Sequence, residues 1–370
     1  MVYGNATVAA TPWELTAKLY RAHLGDQRFA TLSEYSDNLV AFLGQPPILE
    51  ANRDQNELVQ IAYDIAEKLR KRCSGLPKNA ASKAFEKEIA ALNKMLDEKE
   101  DLSSYEIPTE AQFSRKHARV CKEVLEEVFE KDEINQACRS EFPALVRKFT
   151  GKEVFTDYRS GFSVFGYGES EIFPSINVRT IDGAPYGKFR IGEPESHSIN
   201  RDAHNAAGIF ALARSDAAST FLEDISPNMR RFFSKAMKFA LDGFSERLFK
   251  ELESSGKITA SEKIVYAKLF EDQVSSFNEK FQEEVGKYIY AKSQEPILNA
   301  LEGLSKEDMA KLAESLVELS SLKLHVSNET EVVGGPIDVA VLSKGDGFIW
   351  VKRKHYFDTK FNPHFLKGYN

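Results

Sequence analysis

The most constraining stretch of this chain lies near its end. Glu331-Val332-Val333-Gly334-Gly335-Pro336-Ile337-Asp338-Val339-Ala340-Val341-Leu342 runs into Ser343-Lys344-Gly345-Asp346-Gly347 and then Phe348-Ile349-Trp350-Val351. A glycine pair, a β-branched apolar run, a turn and a second apolar run predict a hairpin. Its strands carry apolar side chains toward both faces, so each face needs a covering layer. An all-helical fold cannot supply that arrangement.

Composition narrows the class. The chain has 370 residues, 42% of them hydrophobic and 28% charged, which suits a globular protein with a sizeable core. A formal net charge of −7 argues against bulk nucleic-acid binding, which calls for a basic surface. No apolar run reaches the length of a membrane span, and the first residues lack the charged-then-apolar build of a signal peptide. The three cysteines, Cys73, Cys121 and Cys138, are scattered without metal-site spacing. They read as buried free thiols of a reducing, cytoplasmic compartment. The histidines show no metal-ligand spacing either, so no metal and no cofactor is expected.

Along the chain, Met1 to Ala6 predicts a strand. Thr11 is then expected as a helix N-cap, with Pro12 in the first position, Glu14 in the third and Gly25 closing the helix. Thr31 and Glu34 repeat the device, and Gly44, Pro46 and Pro47 stop the second helix. Residues 54–72 and 80–96 read as charged helices separated by Ser74-Gly75-Leu76-Pro77, and 97–108 as a loop. Ala118, Cys121, Leu125, Val128 and Phe129 mark one side of a further helix. The texture then changes. Phe162–Gly168 and Ile172–Ile181 read as strands, Asp182-Gly183 as a turn and Lys188–Ile191 as another short strand. Ala206–Phe221 suggests a short strand running into a helix. Long helices are expected at about 228–252 and 260–293. A last one, capped by Ser305 with Asp308, should bury Met309, Leu312, Ala313, Leu316 and Val317. Strands that come in groups with antiparallel turns favour α+β layers over an alternating parallel fold.

These segments resemble a known family. The hairpin from Gly334-Gly335-Pro336-Ile337-Asp338-Val339 through Gly347-Phe348-Ile349-Trp350 is similar to the C-terminal strand pair of proteasome-like subunits, members of the N-terminal-nucleophile (Ntn) hydrolases. Tyr3-Gly4-Asn5-Ala6 before the Pro12 helix resembles the strand and first helix that follow the family's catalytic lysine region. Phe165-Gly166-Tyr167-Gly168-Glu169 with Phe173-Pro174-Ser175 resembles its central hairpin, and Ala211–Asp216 its small-residue strand end. The chain also resembles bacterial proteasome-type proteins enlarged by helical insertions. The resemblance implies one domain over 1–370, a four-layer α-β-β-α sandwich, with 54–150 as a helical insertion.

The implied activity is peptide or amide hydrolysis by an N-terminal threonine, serine or cysteine whose base is the terminal amine or a lysine. In the family these groups precede the strand that here begins at Met1. The expectation is therefore a sandwich lacking its first strands, not catalytic within these residues. Ser215 and Asp216 are the candidates for a supporting shell, with a helix N-cap and acidic first turn as the alternative. Ala213 stands where the family commonly places a serine. Glu331 is either such a shell acid or a solvated charge, and Gly334 and Gly335 either line a nucleophile or turn the chain into a strand. Asp338 needs a partner unless its end of the strand reaches water. Lys352-Arg353-Lys354-His355 offers a phosphate or nucleic-acid patch, or a solubilising strand end. Self-association or related subunits are the expected partners, and a non-catalytic ring or scaffold subunit is the alternative role.

Overall fold

The computed structural model describes residues 2–4, 7–49, 54–103, 105–130, 133–200, 206–212, 216–326, 337–353 and 359–362, and excludes the side chains of 54–56, 216, 217, 324 and 359. The fold is mixed α+β, helices with small antiparallel sheets. The chain divides into two compact units, Met1–Ser198 and Ile199–Asn370.

In the first unit, β1 (Val2–Tyr3), β2 (Thr7–Val8) and β3 (Thr11–Pro12) lead into α1 (Trp13–Leu24) and α2 (Leu32–Leu43). Thr11 does not cap α1. It pairs with Val8 in the β2–β3 hairpin, and Pro12 stands at the N-cap without a side-chain bond. The hairpin takes the threonine because the Ala9-Ala10 turn folds the chain straight back. Both alanines have positive φ, 45° and 56°. Two central residues of that kind match the twist of paired strands, although alanine adopts the conformation at a cost. Thr31 does close a capping box on α2 with Glu34.

A helical block follows: α3 (Asp54–Cys73), α4 (Lys78–Asp97), α5 (Glu110–Val128) and α6 (Gln136–Gly151). It buries its own core, including Leu58, Leu69, Phe85, Phe113, Leu125 and Phe142. α5 shows why. Its apolar positions Phe113, Val120, Val124 and Val128 recur on one stripe and are all buried, while the charged face is left to water.

The chain then forms β4 (Ser160–Gly166), β5 (Ser175–Ile181) and β6 (Glu195–Ser198), giving an antiparallel sheet of order β1-β4-β5-β6. One face lies against α2. Ser36 donates to Asn177 at 2.9 Å and accepts from Arg179 at 3.1 Å, and Arg179 also pairs with Asp37. Phe162 and Ile181 join Phe42 and Leu43 in a second core, with Trp13 5.9 Å from Phe162. The opposite face carries Ser163, Phe165, Ile176, Val178 and Thr180, as the alternation of side chains requires. Tyr3 lies over Gly161 there, where a Cβ would fall 1.9 Å from its ring. Lys188–Ile191 is not a strand. Only Ile181 and Ile191 form a bridge, because the Arg190 side chain is drawn fully into the interior.

The second unit contains α7 (Asp216–Glu223), α8 (Pro227–Ser254), α9 (Ala260–Ile289), α10 (Glu295–Glu302), α11 (Lys306–His325), β7 (Val339–Ser343) and β8 (Gly347–Lys352). α8 and α9 pair antiparallel: Phe249 meets Phe270 edge-on at 5.9 Å and Ser234 bonds Asn278 at 3.4 Å. Residues 206–212 form no strand. Ser305 caps α11 at the Asp308 backbone N–H, but Met309 and Val317 are exposed and Ala310 is buried instead, so the covered stripe differs from the expected one. β7 and β8 pair around the Ser343–Gly347 turn. The hairpin is tied to α11 by Lys306–Asp346 and Lys352–Glu314 ion pairs. Its strands are not enclosed on both faces: Phe348, Ile349, Trp350 and Val351 are all exposed. In this unit the helix that packs on the hairpin lies against β7.

Candidate functional site

A polar hollow of the first unit sits where the β2–β3 turn, the entry to β4, the exit of β5 and α3 converge. It is a cavity of about 310 Å³ whose lining includes Thr7, Glu57, Tyr158, Ser160 and Asp182. The strained Ala9-Ala10 turn forms part of its wall. Six of its fourteen lining residues carry a hydroxyl or a carboxylate, so the hollow offers hydrogen-bonding groups beside an apolar wall.

Behind Asp182 lies a buried ion pair. Arg190 donates to Asp182 at 2.6 Å, and the two side chains are 0% and 4% exposed. Asp182 also accepts from the Thr156 backbone N–H at 2.9 Å and the Thr156 hydroxyl at 2.6 Å. The guanidinium reaches on to the carbonyls of Phe149, Thr150, Lys152 and Val154. It lies over the rings of Phe149 and Phe155, 5.1 and 5.7 Å from their centroids. A buried charge survives only when paired and fully bonded, and this one is. It caps the C-terminal carbonyls of α6, the negative end of that helix. Burial pulls the Arg190 guanidinium down from its ordinary value, while the Asp182 carboxylate pushes it back up. The pair thus fixes the β5 exit and the approach to β4. Both Asp182 oxygens are engaged by donors, which suits a positioning role and not proton transfer.

A second hollow, of about 520 Å³, opens on the face of the sheet opposite α2, beside Tyr3, Val178 and Thr180. Glu98, Glu100, Glu153, Glu193 and Glu195 line it, with Lys99.

The thiols of the chain are not nucleophiles here. Cys73, Cys121 and Cys138 are free and buried. Burial is the main reason that Cys73 is pushed up to about 11 and Cys121 to about 12, and it raises Cys138 as well. A thiol so protonated does not attack. Tyr186, packed against the helical core, is likewise pushed up to about 12, chiefly by burial. Among the described residues no group of His, Cys, Asp and Glu is placed to hold a metal ion.

Of the residues singled out in the sequence, Ser215, Glu331, Gly334 and Gly335 lie outside the described residues, as do Ala213, Lys354 and His355. Asp216 opens α7, with only its backbone described. Asp338 is exposed at the mouth of β7, so its charge reaches water. Lys352 is engaged by Glu314, and Arg353 stacks 4.8 Å from the Trp350 ring centroid. Asp182, Thr156 and Arg190 escaped the sequence reading. The signal was an arginine set between Phe189 and Ile191, eight residues after the aspartate of an Asp-Gly turn.

Comparison with protein-family models, with curated proteins and with solved structures returned no match.

Proposed function

We propose that this chain is a proteasome-like Ntn-hydrolase domain, of the threonine-type peptidase or amidohydrolase class, with peptide or amide bonds as the parent substrate. The four-stranded sheet would be one of the two inner layers of the α-β-β-α sandwich. The supporting observation is the build of that sheet. The first strand joins an antiparallel β4-β5-β6 meander, α1 and α2 follow it and cover one face, and the other face holds Phe165, Ile176 and Val178. A sheet with apolar side chains on its second face calls for a second layer, and a stacked sheet about 10 Å away is the usual one. Within residues 1–370 the reading assigns no nucleophile, so the chain acts as scaffold and substrate-positioning framework.

Phe165, 45% exposed, reports on this directly. In a Phe165→Cys variant, a stacked second sheet protects the new thiol from labelling in the folded protein. Rapid labelling of a folded Phe165→Cys chain would sink the sandwich reading. Fluorogenic peptide amides and electrophilic probes of N-terminal nucleophiles should give no turnover and no adduct with the 370-residue chain. A stoichiometric adduct would overturn the non-catalytic assignment.

A further inference from the structure

A further hollow lies in the helical block of the first unit, at the start of α4 and α6. It measures about 570 Å³, and its described lining brings together three bases from three helices: Lys78 of α4, Lys122 of α5 and Arg139 of α6. Glu126 is the one acid among these lining residues. It stands 3.7 Å from Lys122, with both side chains largely in water, a pair of little strength. Three bases against one acid leave an excess of two positive charges here, in a chain whose net charge is −7.

The helices add to that charge, because α4 and α6 run parallel. Near their starts the Asn135 backbone N–H donates to the Ser82 hydroxyl at 3.0 Å. Near their ends Lys148 donates to the Asn93 carbonyl at 3.1 Å and pairs with Asp97 at 2.7 Å. Their N-termini therefore lie at the same end. Lys78 and Gln136, the first residue of each helix, both line the hollow. A helix N-terminus carries a partial positive charge and favours an acid in its first turn. Neither helix has one, and α4 has no side-chain cap. α4 starts on a lysine instead, and Arg139 stands in the first turn of α6. The Arg139 guanidinium is fixed by donating to the Glu130 carbonyl at 2.7 Å. Three cations and two positive helix ends repel one another, and an anion set among them turns each repulsion into attraction.

We infer that this hollow is a binding site for a small molecule that carries a phosphate group on an apolar body. Lys78, Lys122 and Arg139 hold the phosphate, with the carboxamides of Asn135 and Gln136 as further donors. The volume lies in the range of small-molecule sites and exceeds what one phosphate fills. Leu125 and Ile134 supply the apolar part of the lining, against which the rest of the ligand packs. The site lies wholly within α4, α5 and α6 and the turn before α6. It rests on neither the sandwich nor its nucleophile, so each proposal can fail alone.

The test titrates the full chain with phenyl phosphate and, separately, with inorganic phosphate, following the phosphorus NMR linewidth of each probe at low salt. The expected result is saturable binding of phenyl phosphate, about tenfold or more tighter than inorganic phosphate, and weakened by added sodium chloride. Lys78→Ala and Arg139→Ala should each weaken it about tenfold, the scale of one charge-assisted hydrogen bond. Gln136→Glu places an acid at the start of α6. It should abolish binding while raising the unfolding midpoint by about 1–4 °C, because a fixed carboxylate then does what the bound anion does. The absence of saturable binding by either probe overturns the inference. So do alanine variants that bind phenyl phosphate as tightly as the parent, since the probe would then sit elsewhere. A Gln136→Glu chain that binds like the parent overturns it as well. Equal affinity for the two probes overturns the assignment of an apolar body.

Discussion

α5 and α8 are both long, apolar-rich helices, yet they meet opposite fates. α5 spans 19 residues and buries Phe113, His117, Val120, Cys121, Val124, Leu125 and Val128. α8 spans 28 residues and buries Phe249 alone. The difference lies in how apolar residues are distributed, not in how many there are. α5 concentrates them on one stripe that α3 and α6 can cover. α8 splits them between two faces, and α9 covers one. A helix with one stripe completes its core within its own unit, whereas in a helix with two the second stripe is left exposed.

The largest expected effect lies in the unit that holds α5. Arg190→Ala leaves Asp182 buried without its cation and strips four carbonyls of a donor. The expected loss of unfolding stability is about 3–5 kcal/mol. Chemical denaturation followed by Trp13 fluorescence in a Trp350→Phe background would measure it, since each unit has one of the two tryptophans. A loss under about 1 kcal/mol would show that the buried pair does not hold the α6–β5 junction.

The comparison between helices sharpens with one phenylalanine from each. Phe113→Ala empties a fully packed site and should cost about 3–5 kcal/mol. Phe239→Ala, at the most exposed α8 phenylalanine, should stay within about 0.5 kcal/mol of the parent in dilute solution. Equal costs for the two would erase the distinction drawn between α5 and α8.

The third effect depends on pH. The cysteines all lie in the first unit. Folding raises Cys73 from 9.0 to about 11 and Cys121 from 9.0 to about 12. A raised value means that the unfolded thiols ionise first. Their contribution is full below pH 9 and is lost as pH climbs toward 11, at about 1.4 kcal/mol per pH unit per thiol. The Trp13-reported stability should fall over that window and the Trp350-reported stability of the second unit should not fall with it. A flat Trp13 profile between pH 9 and 11 would place the thiols in contact with water.

Much of the helical framework was legible in the sequence because its signals are local. Thr31 and Glu34 sit three residues apart and close a capping box whatever surrounds them. Ser305 caps α11 by accepting from the Asp308 backbone N–H, and the Ser74–Pro77 break separates α3 from α4 as read. The two strands read at Phe162–Gly168 and Ile172–Ile181 are present as the antiparallel pair β4–β5, with bounds shifted by two or three residues.

Where the reading departed from the structure, a local signal met a non-local competitor. Thr11 carries a good N-cap side chain, but strand pairing with Val8 claimed it. Lys188–Ile191 alternates like a strand, yet Arg190 gains more by capping α6 and pairing Asp182 than an extended chain would offer. The apolar run Phe348–Val351 forms its strand as the sequence dictates. Its exposure could not be read there, because burial depends on what lies across the sheet. Ser215, Glu331, Gly334 and Gly335 fall outside the described residues, so for the proposed supporting shell the sequence remains the source.

By itself the sequence determined what forms: caps, periods and turns act over three or four residues, within reach of any one segment. The tertiary structure alone decided what is covered. Burial is a property of two surfaces meeting, and one strand or one helix holds only half of that information.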